Sequence, residues 1–244
     1  GGEASLANIV PYITSKLTQF VSNDLMRPII GQQESAFNVR DVMDEQKILL
    51  IDLSKGKVGE MNAHLLGLIL VGKILMSALS RTDMPAEQRK DFYLYIDEFQ
   101  NFTTDSVNTV LSEARKYGLN LIMAHQYLGQ LVQNNDTSIR DAVFGNAGTW
   151  ILFKLGMEDA EVMEKEFSPV FSQYDLVNIE KFTVYVKLLV DNAATRPFSM
   201  HTLPMDDPQT SGMDEKIRSL SRLKYGRDRN IVESEIRDRI KDVM

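Results

Sequence analysis

Phe92-Tyr93-Leu94-Tyr95-Ile96-Asp97-Glu98-Phe99-Gln100-Asn101-Phe102 is the stretch that decides the fold. Five apolar or aromatic residues run directly into two adjacent carboxylates. A short apolar run with no polar break predicts a buried strand of an α/β sheet. Such a strand delivers whatever follows it to the carboxyl edge of the sheet, where α/β proteins bind their ligands. Asp97 and Glu98 are therefore expected at that edge.

Outward from this stretch the pattern continues. Lys47-Ile48-Leu49-Leu50-Ile51-Asp52-Leu53 is a second apolar run of strand length, with Ser54 to Gly59 as its loop and a long helix from about Glu60 to Ser80. Downstream, Asp105 is expected to cap a helix carrying Val107, Val110, Leu111 and Ala114 on one face, and Gly118 to stop it. Leu119 to Ala124 reads as the next strand. Helices are expected over 136–144 and 159–167, and strands over 149–153, 183–190 and 197–202, with a turn near Asn192. Strands alternating with helices predict parallel strands joined by right-handed crossovers, an α/β fold.

Three regions are expected. Residues 1–35 form a helical segment in which Leu6, Ile9, Val10, Ile13, Leu17, Phe20 and Val21 share a face, closed by Pro28 and Gly31. Residues 36–205 hold the sheet. Residues 206–244 are a charge-dense helical tail with spaced aliphatics (Ile217, Leu220, Leu223, Ile231, Ile236, Ile240), either a solvated helix or a packing arm.

Composition sets bounds on the chemistry. The 244 residues are 43% hydrophobic, enough for a real core, and contain no cysteine, which excludes disulfides, thiolate metal sites and a cysteine nucleophile. His64, His125 and His201 lie far apart with no zinc-type spacing. A formal charge of −7 argues against a surface coated for nucleic-acid binding, while leaving room for a local basic loop lining a pore. The first residues, Gly1-Gly2-Glu3-Ala4-Ser5, do not resemble a secretory signal. The greasiest run, Leu65 to Leu79, falls short of the ~20 residues needed to span a bilayer and is interrupted by Lys73, so it reads as a core helix.

An Asp at the end of a buried strand can hold a Mg²⁺ ion, usually through water, and a Glu beside it can orient or deprotonate an attacking water. That is the chemistry of the Walker-B half of a P-loop ATPase; the plain alternative is an acidic pair opening a loop. Gln126 follows the next strand, where an amide can sense a γ-phosphate or hold the lytic water, or simply cap a turn. Arg115, in Ala114-Arg115-Lys116-Tyr117-Gly118, sits where a cation stabilises a helix C-terminus by ~0.3–1 kcal/mol. Its sharper reading is an arginine finger reaching a neighbouring subunit's nucleotide. No Walker A accompanies these residues. Gly67 to Lys73 has the Gly-x-x-x-x-Gly-Lys spacing, but Ile74 follows it and it lies inside a helix, where its amides are not free. Lys55-Gly56-Lys57-Val58-Gly59 lacks the Gly-Lys-Ser/Thr ending. Asp52 is a lone carboxylate expected to end a strand, with no catalytic role.

The run from Phe92 to Phe102 resembles the Walker-B segment of type IV secretion coupling ATPases, the conjugative DNA-transfer motors of the FtsK/HerA superfamily. So do Glu113-Ala114-Arg115-Lys116-Tyr117-Gly118-Leu119 and Ala124-His125-Gln126-Tyr127-Leu128-Gly129-Gln130-Leu131. Ile48–Leu53 with Ser54-Lys55-Gly56, and Phe144-Gly145-Asn146-Ala147-Gly148-Thr149, are similar to the same group, over about residues 40 to 205 in all. The resemblance implies a mostly parallel RecA-like motor domain working as a ring, usually a hexamer, at the cytoplasmic face of a membrane. Asp97 would then serve the Mg²⁺ of ATP, Glu98 the water, Gln126 the γ-phosphate, and Arg115 the neighbouring subunit's nucleotide. The implied partners are single- or double-stranded DNA, further copies of the chain, and relaxase or secretion-channel proteins. The family's Walker A and membrane-anchoring helices have no counterpart here. The chain is therefore expected to be the C-terminal portion of a longer motor, or a degenerate relative, with little ATP turnover by itself. A motor for protein cargo and a non-catalytic RecA-like interaction module are the competing readings.

Overall fold

The computed structural model describes residues 22–102, 111, 113–132, 134–204 and 212–241. In chain order its helices are α1 (Arg27–Ile30), α2 (Val39–Asp44), α3 (Lys55–Val58), α4 (Glu60–Leu79), α5 (Ser138–Asn146), α6 (Met157–Phe167), α7 (Gln173–Val177), α8 (Met213–Tyr225) and α9 (Arg229–Lys241). The strands are β1 (Phe92–Ile96), β2 (Leu119–Met123), β3 (Trp150–Leu152), β4 (Thr183–Lys187), β5 (Leu189–Val190), β6 (Ala193–Ala194) and β7 (Phe198–His201). The fold is α/β. The chain divides into two compact units, Gly1–Ile74 with Gln209–Met244, and Leu75–Pro208.

In the second unit β1 and β2 pair in parallel, as the sequence pattern predicts, from Phe92 opposite Leu119 to Ile96 opposite Met123. The later strands pair antiparallel, which the sequence reading did not expect. β4 lies between β3 and β7, with Ile151 opposite Val186 and Val184 opposite Met200. β5 and β6 form a hairpin whose two turn residues, Asp191 and Asn192, have φ of 49° and 62°. Positive φ at both central residues suits a two-residue hairpin, and Asp and Asn tolerate it better than other residues with a side chain. One face of the three-stranded sheet packs on α6 and α7 around Leu152, Ala160, Met163, Phe167, Leu176 and Ile179. α7, absent from the sequence reading, is fixed by a capping box in which Ser172 and Asp175 each accept the other's backbone N–H.

The first unit is helical. Pro28 occupies the first turn of α1 instead of closing a helix, because its fixed φ and missing N–H suit that position. Gly31 ends α1 as expected. The tail is a packing arm in its second half: α9 buries Val232 and Ile236, Glu233 accepts two hydrogen bonds of 3.0 Å from Arg27, and Arg239 donates to the Gly31 carbonyl. α8 buries none of its residues.

Two expectations are corrected. Residues 47–54 form no regular element, and Ile48 and Leu50 stand 89% and 83% exposed. A strand needs a neighbour for its ladder, and among the described residues no strand pairs with this run. The second is the core helix. α4 is 20 residues long, and with the turn to Asp83 it is long and apolar enough to cross a membrane by length and composition. It buries Ala63, Ile74 and Ala78, whereas Met61 and Met76 are 59% and 70% exposed. Only a stripe of it is core. The expected helix cap at Asp105 and the shared face of Leu6 to Val21 lie outside the described residues.

Candidate functional site

The parallel register brings the ends of β1 and β2 level, and the ladder runs one step past them. Ala124 N–H donates to the Ile96 carbonyl and Phe99 N–H to the Ala124 carbonyl, both at 2.9 Å. Asp97 and Glu98 leave β1, and His125 and Gln126 leave β2, at the same edge. Neighbouring strands lie ~4.8 Å apart, so these residues share one rim.

Asp97 is exposed, and its Oδ1 accepts the Glu98 N–H at 2.9 Å. Glu98 takes a left-handed backbone, φ 48°, which a non-glycine residue adopts at a cost of ~1 kcal/mol or more. Its carboxylate accepts from Asn101 Nδ2 at 2.9 Å. The 3₁₀ turn Phe99–Phe102 that follows is anchored by Phe99, only 2% exposed. On the β2 side, Gln130 Oε1 accepts from the backbone N–H of Gln126 at 3.0 Å and of Tyr127 at 3.3 Å, leaving the exposed Gln126 side chain on a fixed stem. Leu128 N–H donates to Asp159 Oδ2 at 3.0 Å, tying this turn to α6. Between these residues His125 is half-buried. Burial pushes its imidazole below the ordinary range, opposed by a Tyr127 backbone contact and the Asp159 charge.

Arg115 is elsewhere. It lies in the 3₁₀ turn Ala114–Tyr117 that precedes β2, hence at the opposite end of the strand pair, roughly 15 Å from the rim by strand rise. It is exposed and donates to Asn192 Oδ1 at 3.3 Å. The turn that carries it is clamped by two arginines that sequence reading did not single out. Fully buried Arg81 donates to the carbonyls of Lys90 and Tyr117 at 2.8 and 3.0 Å, and Arg89 donates to that of Lys116 at 2.6 Å. The signal for them was faint: two arginines flanking a polar, proline-containing connection. Asp52 does not end a strand; its carboxylate pairs with Lys57 Nζ at 2.6 Å, which with the Ser54 N–H holds it below the usual carboxylate range.

Among the described residues no three His, Asp or Glu side chains gather as a metal cluster. The rim instead offers a single exposed strand-end carboxylate, Asp97. That donor set fits Mg²⁺, which keeps several waters and takes the rest of its shell from substrate phosphates. The Gly67–Lys73 run lies within α4, and Lys55 to Val58 is a helical turn, so neither forms a strand-to-helix phosphate loop.

Residues 91–182 match the family model described as the TraM recognition site of TraD and TraG. Solved structures of similar chains include the bacterial conjugative coupling protein TrwBdeltaN70, unbound, at 17% identity over 56% of this chain and 36% of that one, TM-score 0.45. TrwB in complex with the non-hydrolysable GTP analogue GDPNP matches at 16% identity over 61% and 40%, TM-score 0.45. The genome packaging NTPase B204 of Sulfolobus turreted icosahedral virus 2, in complex with ATP-gammaS, matches at 13% identity over 70% and 74%, TM-score 0.43. The chain thus spans 36% of the length of the unbound coupling protein. Among curated proteins nothing matches it by sequence. Over residues 91–182, which hold both strand ends and the rim between them, the chain is similar to the TraM recognition site of TraD and TraG.

Proposed function

We propose that this chain is the Walker-B half of an ATP-driven coupling-protein motor that moves DNA toward a conjugative secretion channel. The observation that carries this reading is the level register of β1 and β2, which sets Asp97, Glu98 and Gln126 on one rim. Asp97 would hold the Mg²⁺ of ATP, whose chemistry when bound would be to neutralise charge on the phosphates. Glu98 accepts the proton of the attacking water, and Gln126 orients that water against the γ-phosphate. Arg115 is too far from its own rim to act there, so its guanidinium serves the nucleotide of an adjacent copy in a ring, a hexamer in the simplest case. The Gly-Lys-Ser/Thr phosphate cradle comes from outside these 244 residues. With a charge of −7, DNA contact is confined to a local basic surface of the ring. The match at residues 91–182 to a TraM recognition site supports a protein of the TraM kind as a docking partner; the working place in this proposal is the cytoplasmic face of the membrane.

The test uses the coupling protein with its phosphate cradle. Glu98→Gln retains ATP binding and lowers hydrolysis by about 100-fold or more, the usual contribution of a general base. DNA stimulates the native enzyme and not the variant. Hydrolysis that survives Glu98→Gln overturns the Walker-B assignment; stimulation by a protein substrate and not by DNA favours protein cargo.

A further inference from the structure

We infer that Asn101 is a positioning residue for the Glu98 carboxylate, an inference that rests on the Walker-B reading and adds to it the group that aims the base. Glu98 has a flexible side chain on a left-handed backbone residue at an exposed edge. A general base must lie within hydrogen-bond reach of the proton it takes, so an untethered Glu spends much of its time misdirected. Asn101 supplies the tether. Its own N–H donates to the Glu98 carbonyl at 2.9 Å, closing a tight turn, and its Nδ2 donates to Glu98 Oε2 at 2.9 Å. The turn is itself fixed, because Phe99 is buried and its N–H is bonded to the Ala124 carbonyl at the end of β2. One chain of contacts therefore runs from Ala124, at the end of β2, through Phe99 and Asn101 to Oε2 of Glu98.

The residue type matters. An amide donates a hydrogen bond without carrying charge, so it holds a carboxylate without quenching it as a lysine ion pair would, and without the repulsion a second carboxylate would bring. Asn101→Leu keeps the size and removes the donor. Asn101→Asp keeps the shape and turns the donor into a like charge. Asn101→Gln keeps the amide on a longer stem.

In the coupling protein with its phosphate cradle, Asn101→Leu and Asn101→Asp are expected to lower kcat by about tenfold or more with KM for ATP unchanged, and Asn101→Gln to recover part of the loss. In the 244-residue chain, where no turnover is needed, the side-chain amide resonance of Asn101 moves on Glu98→Gln. Native kcat in Asn101→Leu, a loss of kcat matched by a fall in thermal stability in all three variants, or an unmoved amide resonance each overturn the inference. Glu98→Gln separates the two levels. If it leaves hydrolysis intact, the Walker-B reading and this inference fall together. If it abolishes hydrolysis while Asn101→Leu stays fully active, Asn101 alone is wrongly assigned.

Discussion

Gly118 is constrained twice, by its backbone and by its neighbours. Its φ is +69°, and a Cβ there would meet the Lys90 carbonyl oxygen at 3.1 Å and Arg81 Nη1 at 3.2 Å. Gly118→Ala is expected to destabilise the fold by roughly 1–3 kcal/mol in urea unfolding, from left-handed strain plus crowding of a backbone oxygen that cannot move away. His125 makes a prediction of a different kind. Burial lowers its folded-state pKa below the free value of 6.5, with Tyr127 and Asp159 opposing. The unfolded chain therefore takes up this proton first as pH falls, so the stability contribution is intact above about 6.5 and is lost as pH drops through the lowered folded value. Against His125→Gln, native protein should lose stability faster between pH 7 and 5; parallel curves would show that the imidazole titrates as freely folded as unfolded. Of the rim itself, the identities of Asp97, Glu98 and Gln126 are readable in sequence, because carboxylates after an apolar run stand out. The supports of the rim, Asn101 and Gln130, are not, since an amide three or four residues on looks like any loop residue until the turn brings it back.

At the scale of elements, α9 and residues 47–54 carry opposite lessons. Both contain aliphatic residues in a pattern, yet Ile236 is 8% exposed and Ile48 is 89% exposed. α9 brings its own hydrogen bonds and needs only a surface, which α1 supplies through Arg27 and Gly31. Residues 47–54 need a second strand for their backbone groups, and local sequence cannot supply one. Ile236→Ala should therefore cost roughly 2–4 kcal/mol and loosen α9 from α1, seen as faster amide exchange along Arg229–Lys241. Unchanged exchange would mean that the Arg27–Glu233 pair alone holds the arm. The antiparallel pairing of β3, β4 and β7 escaped sequence reading for a related reason. Short apolar strands look alike whichever way their neighbours run.

For the molecule as a whole, the proposed roles of the acidic pair, amide and arginine need a phosphate cradle that these 244 residues do not contain. The 244-residue chain by itself should release no phosphate from ATP above background in the presence of Mg²⁺ and DNA. Sustained turnover would mean that the phosphates find a cradle other than a Gly-Lys-Ser/Thr loop. Sequence by itself determined which residues stand at the rim, the parallel β1–β2 pair and the helical arm, because apolar runs, caps and adjacent carboxylates act through neighbours in the chain. Tertiary structure alone decided that buried Arg81 clamps the turn carrying Arg115, and that among the described residues no strand pairs with the apolar run at 47–53. Those outcomes depend on which groups meet across long stretches of chain, and the free energy of such meetings is written in no single segment.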